Sequence, residues 1–301
     1  MKLIVTGANG FLGKTFCEIA LKNNDIQIFG LSRNNIDNFK NNNFHIIKCD
    51  INNYEDIKSK FSQINPDIVF HFAANPSVKD DNISVLETNV IMTDKLLRCS
   101  KNTNFVFASS ATVYGQLSNE NSSFTEKSEI KPESIYATSK VLSEELIKFY
   151  HRSKSINKYI IYRYVANAGK YSTHGVLPDI IRKIKNAKDS IEIFGSYPGT
   201  VKPFTLASQS MDISLNNTLN VFKTKDSSIF NISPNDAISV DDLINIAMVN
   251  INKFLNKTWL GESSLWKGDQ KYLRVKSKFS KKLYSSYKAI EAATKELMEI
   301  L

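Results

Sequence analysis

The sequence predicts an α/β fold: a doubly wound, mostly parallel sheet covered by helices on both faces, followed by a smaller C-terminal α+β region. Three observations predict it. Short runs of Ile, Val and Phe without polar alternation recur along the first half of the 301 residues, as in strands buried on both faces. Segments with helical apolar spacing separate them, which is the βαβ rhythm. A glycine-rich turn joins the first apolar run to the first helical pattern.

Lys2–Thr6 reads as the first strand, and TGANGFLG (6–13) follows with three glycines in eight residues. Glycine loses the most backbone freedom on folding, so three at one junction imply conformations or close approaches that no side chain would permit. Phe11, Phe16, Ile19 and Ala20 then recur at roughly helical spacing. Such a turn aims backbone N–H groups and the positive end of a helix dipole at an anion, such as a dinucleotide pyrophosphate. Further strands are expected at IQIFGL (26–31), FHIIKC (44–49), DIVFHFAA (67–74), NFVFASS (104–110) and KYIIYRYV (158–165), with a surface loop over 34–43. Beyond about residue 165 the rhythm loosens, turns are signalled at Tyr197-Pro198-Gly199 and Ser233-Pro234-Asn235, and helices are expected over 240–254 and 285–301. The expected division is a dinucleotide-binding domain over 1–165, rejoined by about 205–238, and a mainly substrate-binding region over 166–301.

Thirty-nine basic against 30 acidic residues give a net charge of +9, which favours a phosphate-bearing ligand. The charge is spread over helix faces, as at Arg182, Lys183 and Lys185, without a basic stripe of interleaved aromatics, which argues against nucleic acid. No run of about 18 apolar residues predicts a membrane span, and a strand starting at residue 2 leaves no room for a signal peptide. A cytoplasmic protein with no membrane partner is expected. Cys17, Cys49 and Cys99 lie in apolar segments without metal or redox spacing, so buried free thiols and no metal are expected.

Chemistry enters at Tyr136-Ala-Thr-Ser-Lys140, where Tyr and Lys project from one face at the start of a helix. A free tyrosine ionises near about pH 10, too high for a useful base, and a neighbouring ammonium lowers that value. SSATVYG (109–115) ends a predicted strand, where ligand sites in open α/β sheets lie, and supplies a hydroxyl.

In this order TGxxGxxG, HFAA, SSATVYG and YxxxK resemble the extended short-chain dehydrogenase/reductase family, comprising nucleotide-sugar epimerases, dehydratases and ketoreductases. The resemblance also covers Asp50, Asn89, 163–169, 173–176 and 202–205, and fades towards the C-terminus. It implies a Rossmann-like first domain, a nicotinamide dinucleotide, a nucleotide-sugar substrate, and a homodimer paired through helices near 80–101 and 134–153. Gly7, Gly10 and Gly13 would hold the pyrophosphate, with Asn9, Phe11 and Leu12 on the same turn. Ser32, Arg33, Asp50 and Ile51 would also contact the cofactor, Asp50 at the adenine, as would Ala73, Ala74 and Asn89. Tyr136 would be the general acid/base, Lys140 would bind the nicotinamide ribose and depress the tyrosine pKa, and Ser110 would hydrogen-bond the reacting sugar oxygen. Thr112, Asn167, His174 and Lys202 would complete the substrate contacts.

The reaction divides on a few residues. The family's 4,6-dehydratases place an Asp–Glu pair after the hydroxyl residue, and Ala111 and Thr112 stand there, which argues against dehydration. SSATVYG resembles the hexose 4-epimerases. NAD users need an acidic residue at the end of the second strand, whereas Ser32 and Arg33 stand here, and arginine suits a 2′-phosphate. The stretch from IFGLSRNN through HFAANPSVKDD (28–81) also resembles the GDP-4-keto-6-deoxy-mannose reductases of the same family. The balance favours NADP(H) over NAD(H), and a 4-ketoreductase of an NDP-4-keto-(6-deoxy)hexose over an NAD-dependent NDP-hexose 4-epimerase. A third reading is a non-catalytic dinucleotide-binding regulator, against which the intact Ser110, Tyr136 and Lys140 argue. RYVANAG sets Asn167 one position away from the relatives' asparagine, Lys202 replaces an arginine that often grips the diphosphate, and a second expected arginine is missing near 266–269. Lysine binds phosphate as a point charge without the arginine fork.

Overall fold

A computed structural model describes residues 1–34, 39–77, 82–117, 119, 121–224, 227–262 and 269–301. Parts of the predicted 34–43 loop, of the HFAANPSVKDD stretch with the start of the 80–101 helix, and of the 266–269 segment lie outside the described residues. The chain forms two compact units, the first made of 1–113, 134–163 and 211–230.

In the first unit β1 (Lys2–Thr6), β2 (Gln27–Ser32), β3 (Phe44–Lys48), β4 (Ile68–His71), β5 (Asn104–Ser110) and β6 (Tyr159–Tyr164) join β11 (Ser228–Ile232) in a seven-stranded sheet of order β11-β6-β5-β4-β1-β2-β3. The pairs β3-β2, β2-β1, β1-β4 and β4-β5 are parallel. The strands begin and end within a few residues of the apolar runs, because both sheet faces are covered. Ile4, Val69, Phe105, Phe107 and Ile161 are buried among Ile57 and Phe61 of α2 (Tyr54–Ile64), Leu96 of α3 (Ile83–Cys99) and Ile147 of α4 (Ile135–Arg152). Asn53 caps α2 by accepting from the Glu55 and Asp56 amides, and Asn65 ends it at φ 49. Ser134 caps α4 by accepting from the Ala137 amide. Strand order reverses between β1 and β4, so Thr6 and His71 stand opposite each other at the switch point, where open sheets place ligands.

The second unit comprises 114–133, 164–210 and 231–301. The 114–133 segment, expected in the first domain, belongs here. Its chain leaves β5 through Gly115 at φ +75, Phe124 bridges Val275, and both Tyr114 Oη and the Glu126 carboxylate hydrogen-bond Asn231. The returning segment is 211–230, shorter than the expected 205–238. Small sheets pair β7 (Ala166–Ala168) with β10 (Phe204–Leu206), β9 (Val201–Lys202) with β12 (Ile238–Ser239), and β8 (Ser190–Ile193) with β13 (Asn256–Trp259). Their core includes Ile180 and Ile184 of α5 (Val176–Asn186), Leu243 and Ala247 of α7 (Val240–Ile251), and Ile290 and Leu297 of α8 (Ser286–Met298). The helix α7 stops short of the expected 254 because Asn252 adopts the left-handed conformation at φ 56. The helix α6 (Ala207–Thr224) is divided by the partition, its residues from 211 onward counting with the first unit.

Cys17 and Cys49 are buried, whereas Cys99 is only partly so. Burial pushes the Cys17 thiol up, and the Cys49 thiol up to about 12 with help from Asp56, so neither is a reactive thiolate. Among the described residues no helix is long and apolar enough to cross a membrane, and no group of three or more His, Cys, Asp or Glu could hold a metal ion.

Candidate active site

The glycine turn is as tight as the sequence requires. Gly7 sits at φ +70, where a Cβ would fall 2.8 Å from the Ala73 nitrogen, and a Cβ on Gly13 would fall 2.1 Å from the Gly7 carbonyl oxygen. Only hydrogen fits at either place. The following helix, α1 (Phe11–Ala20), has Gly10 as its N-cap, with no side-chain cap and no acidic residue in its first turn. Its first-turn amides suit an anion, so this cradle fits a dinucleotide pyrophosphate. Phe11 and Leu12 open the helix, and Asn9 Nδ2 donates to Ser32 Oγ at 2.9 Å, tying the turn to the end of β2. Arg33 follows, exposed. Asp50 is exposed after β3, its carboxylate accepting from the Asn52 amide, and Ile51 is partly buried.

At the switch point a buried polar chain crosses the unit. Thr6 Oγ1 lies 2.7 Å from His71 Nδ1, His71 Nε2 lies 3.1 Å from Thr93 Oγ1, and Thr93 Oγ1 lies 2.8 Å from the Asn89 carbonyl oxygen and 3.3 Å from Ser143 Oγ. Burial, and to a smaller degree the charge on Lys140, hold the His71 imidazole down at about 3. The unfolded chain takes up that proton near about pH 6.5, so stability is present above that value and is lost as pH falls through the window towards 3. The urea midpoint should therefore drop between about pH 6.5 and 5, before most carboxylates titrate, and His71→Gln should flatten that limb. A wild-type midpoint constant across that window would contradict the assignment.

The Asn89 side chain is engaged by the protein itself. Its Oδ1 accepts from the Asn75 amide at 2.7 Å, and its Nδ2 donates to the Asn75 carbonyl at 3.2 Å and to Ser139 Oγ at 3.0 Å. The side chain ties the segment that carries Ala73 and Ala74, both partly buried, to α4.

Ser110 ends β5, and Thr112 lies in the single 3₁₀ turn Ala111–Tyr114 that follows. Both the amide and the hydroxyl of Thr112 donate to Ser110 Oγ, at 3.2 and 2.9 Å. Tyr136 lies in the first turn of α4 and Lys140 one turn on, with Nζ 5.6 Å from the Tyr136 ring centre and 4.8 Å from that of Phe107. Lys140 donates to the Ala108 carbonyl at 2.8 Å. A further turn along, the buried Glu144 accepts from Ser109 Oγ at 2.6 Å and from Arg163 Nε and Nη2 at 2.9 and 2.6 Å. Consecutive residues of β5 are thus sewn to consecutive turns of α4, which holds the strand end against the helix bearing Tyr136.

Burial lowers the Lys140 ammonium to about 8, opposed by the Glu144 carboxylate, so it is still charged at neutral pH. Burial pushes the Tyr136 phenol up to about 12. The expected depression by Lys140 is not what this protein alone produces: loss of water around the phenolate outweighs the nearby charge. Tyr136 therefore keeps its proton. Glu144 escaped the sequence reading, although it falls on the helix face of Tyr136 and Lys140, and Arg163 entered it only as the start of the 163–169 resemblance, although it is the single charged residue within β6.

The remaining expected substrate residues belong to the second unit. Asn167 is turned inward, donating to the Val165 carbonyl at 3.0 Å and accepting from Thr205 Oγ1 at 3.0 Å. His174 is exposed ahead of α5. Lys202 forms an ion pair with the buried Asp269 carboxylate, so the point charge expected to meet a diphosphate has a protein counter-ion.

The profile of the NAD dependent epimerase/dehydratase family matches residues 3–203. A dTDP-glucose 4,6-dehydratase of Haemophilus influenzae is 31% identical over 180 residues, 51% of this chain and 52% of its own. A UDP-glucose 4-epimerase of Mycoplasma genitalium is 32% identical over 168 residues, 48% of this chain and 47% of its own. The chain spans about half the length of these curated relatives. The crystal structure of a UDP-glucuronic acid 4-epimerase from Bacillus cereus, in complex with UDP-glucuronic acid and NAD, superposes with a TM-score of 0.84 over 100% of both chains at 24% identity, a likeness of fold.

Proposed function

Because the chain belongs to the NAD dependent epimerase/dehydratase family, we propose that it carries out oxidation and reduction at C4 of a nucleotide-linked hexose, as a 4-epimerase. The observation that carries this reading is one constellation at the C-terminal edge of the sheet. Ser110 stands at the end of β5 and Tyr136 and Lys140 on the first turns of α4, and the glycine cradle follows β1 at the same edge. A nicotinamide dinucleotide, when bound, supplies a carrier for one hydride. Gly7, Gly10 and Gly13 would hold its pyrophosphate, and Lys140 would reach its ribose. Tyr136 exchanges the proton of the sugar oxygen, Ser110 donates a hydrogen bond to that oxygen, and the Lys140 charge favours the phenolate whenever it forms. Epimerases and dehydratases among the relatives support C4 chemistry, and Ala111 and Thr112 leave dehydration without its carboxylates. Incubation with UDP- and dTDP-linked hexoses, followed by chromatography, should reveal the C4 epimer. No conversion of any such sugar would refute the reading.

A second reading, the 4-ketoreductase, rests on one observation: β2 ends in Ser32 and is followed by Arg33, with no carboxylate for a ribose 2′-hydroxyl. Mass spectrometry of the co-purifying nucleotide separates the two readings, since retained NAD supports the epimerase, and NADP(H) or an empty site supports the reductase. If Arg33 meets a 2′-phosphate, Arg33→Ala should weaken NADPH relative to NADH by about tenfold or more in calorimetry. Equal binding of both dinucleotides by the wild type would remove that support.

A homodimer belongs to the same proposal. Ile83 and Ile91 on α3 and Leu142 and Phe149 on α4 are 55%, 48%, 41% and 56% exposed, and each pair recurs at helical spacing. A second copy applied about a two-fold axis would cover them. Light scattering at micromolar concentration should give twice the chain mass; a monomer would contradict it.

A further inference from the structure

We propose that Thr112 is a positioning residue that fixes Ser110 as a one-way hydrogen-bond donor to the sugar oxygen, leaving Tyr136 as the only group that transfers the proton. The inference rests on the C4 oxidation–reduction reading for its chemistry, but its geometry is visible in the protein alone. A hydroxyl has one proton to give and two acceptor positions. Ser110 Oγ lies 3.2 Å from the Thr112 amide, which donates to it, and 2.9 Å from Thr112 Oγ1, and the angles at the two oxygens fit Thr112 as the donor in the second contact. With both acceptor positions filled from one side, the Ser110 proton is directed away from Thr112. Were the polarity reversed, Ser110 would spend its proton on Thr112 and present only lone pairs outward, which would repel a carbonyl or alkoxide oxygen.

The arrangement is local. The chain turns into the 3₁₀ segment Ala111–Tyr114 directly after β5, so Thr112 folds back over the residue two before it, and both donors come from the same residue. The backbone of the flanking residues is held by other means, since Lys140 donates to the Ala108 carbonyl and Ser109 to Glu144. With the backbone anchored in that way, Thr112 sets the Ser110 hydroxyl rotor.

The consequence is a division of labour. In the reducing direction the sugar oxygen forms its new O–H bond with the proton of Tyr136 Oη, whose own O–H bond breaks to leave the phenolate. A bound dinucleotide would supply the hydride, whose electron pair would form the new C–H bond at sugar C4. The carbonyl π pair moves to the oxygen. The Ser110 O–H bond stays intact throughout, and its hydrogen bond shortens as charge grows on that oxygen. In the oxidising direction the proton returns to Tyr136. Ser110 cannot act as the base in either direction because it has no acceptor position left.

Two measurements test this. In a neutron structure of the deuterated protein without ligands, a deuteron on Thr112 Oγ1 lying between the two oxygens is expected, and a Ser110 deuteron lying there would overturn the proposal whatever reaction the protein catalyses. In turnover, Thr112→Val, which keeps shape and amide but removes the hydroxyl, should lower kcat by about tenfold with KM changed less than threefold, and Thr112→Ser should restore kcat to within threefold. In a Ser110→Ala background Thr112→Val should cause no further loss, since the hydroxyl acts only through Ser110. A Thr112→Val kcat within twofold of wild type, or an equal loss with Ser110 already removed, would overturn the proposal. Absence of nucleotide-sugar turnover by the wild type would instead overturn the C4 reading, and the neutron result would still decide the polarity.

Discussion

Tyr136→Phe is expected to lower turnover by roughly 10²–10⁴-fold while leaving dinucleotide affinity close to wild type. On the proposed C4 reading the substitution removes the proton exchanged with the sugar oxygen, and it keeps the ring that packs beside Lys140, whose Nζ lies 5.6 Å from the ring centre. Burial holds the Tyr136 phenol up at about 12, so at neutral pH the resting protein presents a protonated phenol, which the proposed reading uses as the acid. If the phenol gives up that proton, the Lys140 charge would compensate the phenolate. Steady-state rates and calorimetric dinucleotide binding check this together. Turnover within a few-fold of wild type would remove Tyr136 from the chemistry.

The second large effect is on stability. Glu144→Ala should cost about 3–5 kcal/mol, because it leaves the Arg163 guanidinium buried without its carboxylate and Ser109 without its acceptor. Both charged side chains are only 3% exposed, so water cannot replace the lost partner. Glu144→Leu combined with Arg163→Met should recover much of that loss, since the expensive species is the buried guanidinium stripped of its carboxylate and not the absent pair. Urea unfolding measures both. A loss under about 1 kcal/mol for Glu144→Ala would show that Arg163 finds another partner. The same substitution has a titration consequence: the Glu144 carboxylate opposes the fall of Lys140 to about 8, so without it Lys140 should lose its proton at a lower pH.

The order of strands and helices was legible in the chain because a sheet covered on both faces demands uninterrupted apolar runs, and IQIFGL, FHIIK and NFVFASS satisfy that demand locally. Ends were legible where one residue decides them and hidden where distant ones do. DIVFHFAA reads as a strand to residue 74, yet β4 stops at His71 because the chain must pass within reach of Gly7. The 114–133 segment follows a strand of the first unit and reads as its continuation, but its partners are Asn231 and Val275, more than a hundred residues on.

By itself the sequence determined the glycine turn and the α/β alternation, since each depends on residue types a few positions apart, and it nominated Ser110, Tyr136 and Lys140 as candidates. The tertiary structure alone decided their electrostatics. Lys140 was expected to depress Tyr136, and burial raises it instead, because desolvation depends on what the other strands and helices pack around the phenol and no local spacing records that. Asn89, Asn167 and Lys202 have the chemistry of ligand contacts, and each has protein partners that lie far from it in sequence or can be identified only in the fold. A side chain's capacity to bind belongs to the residue, whereas its availability depends on which partner reaches it first, and only the folded chain determines that.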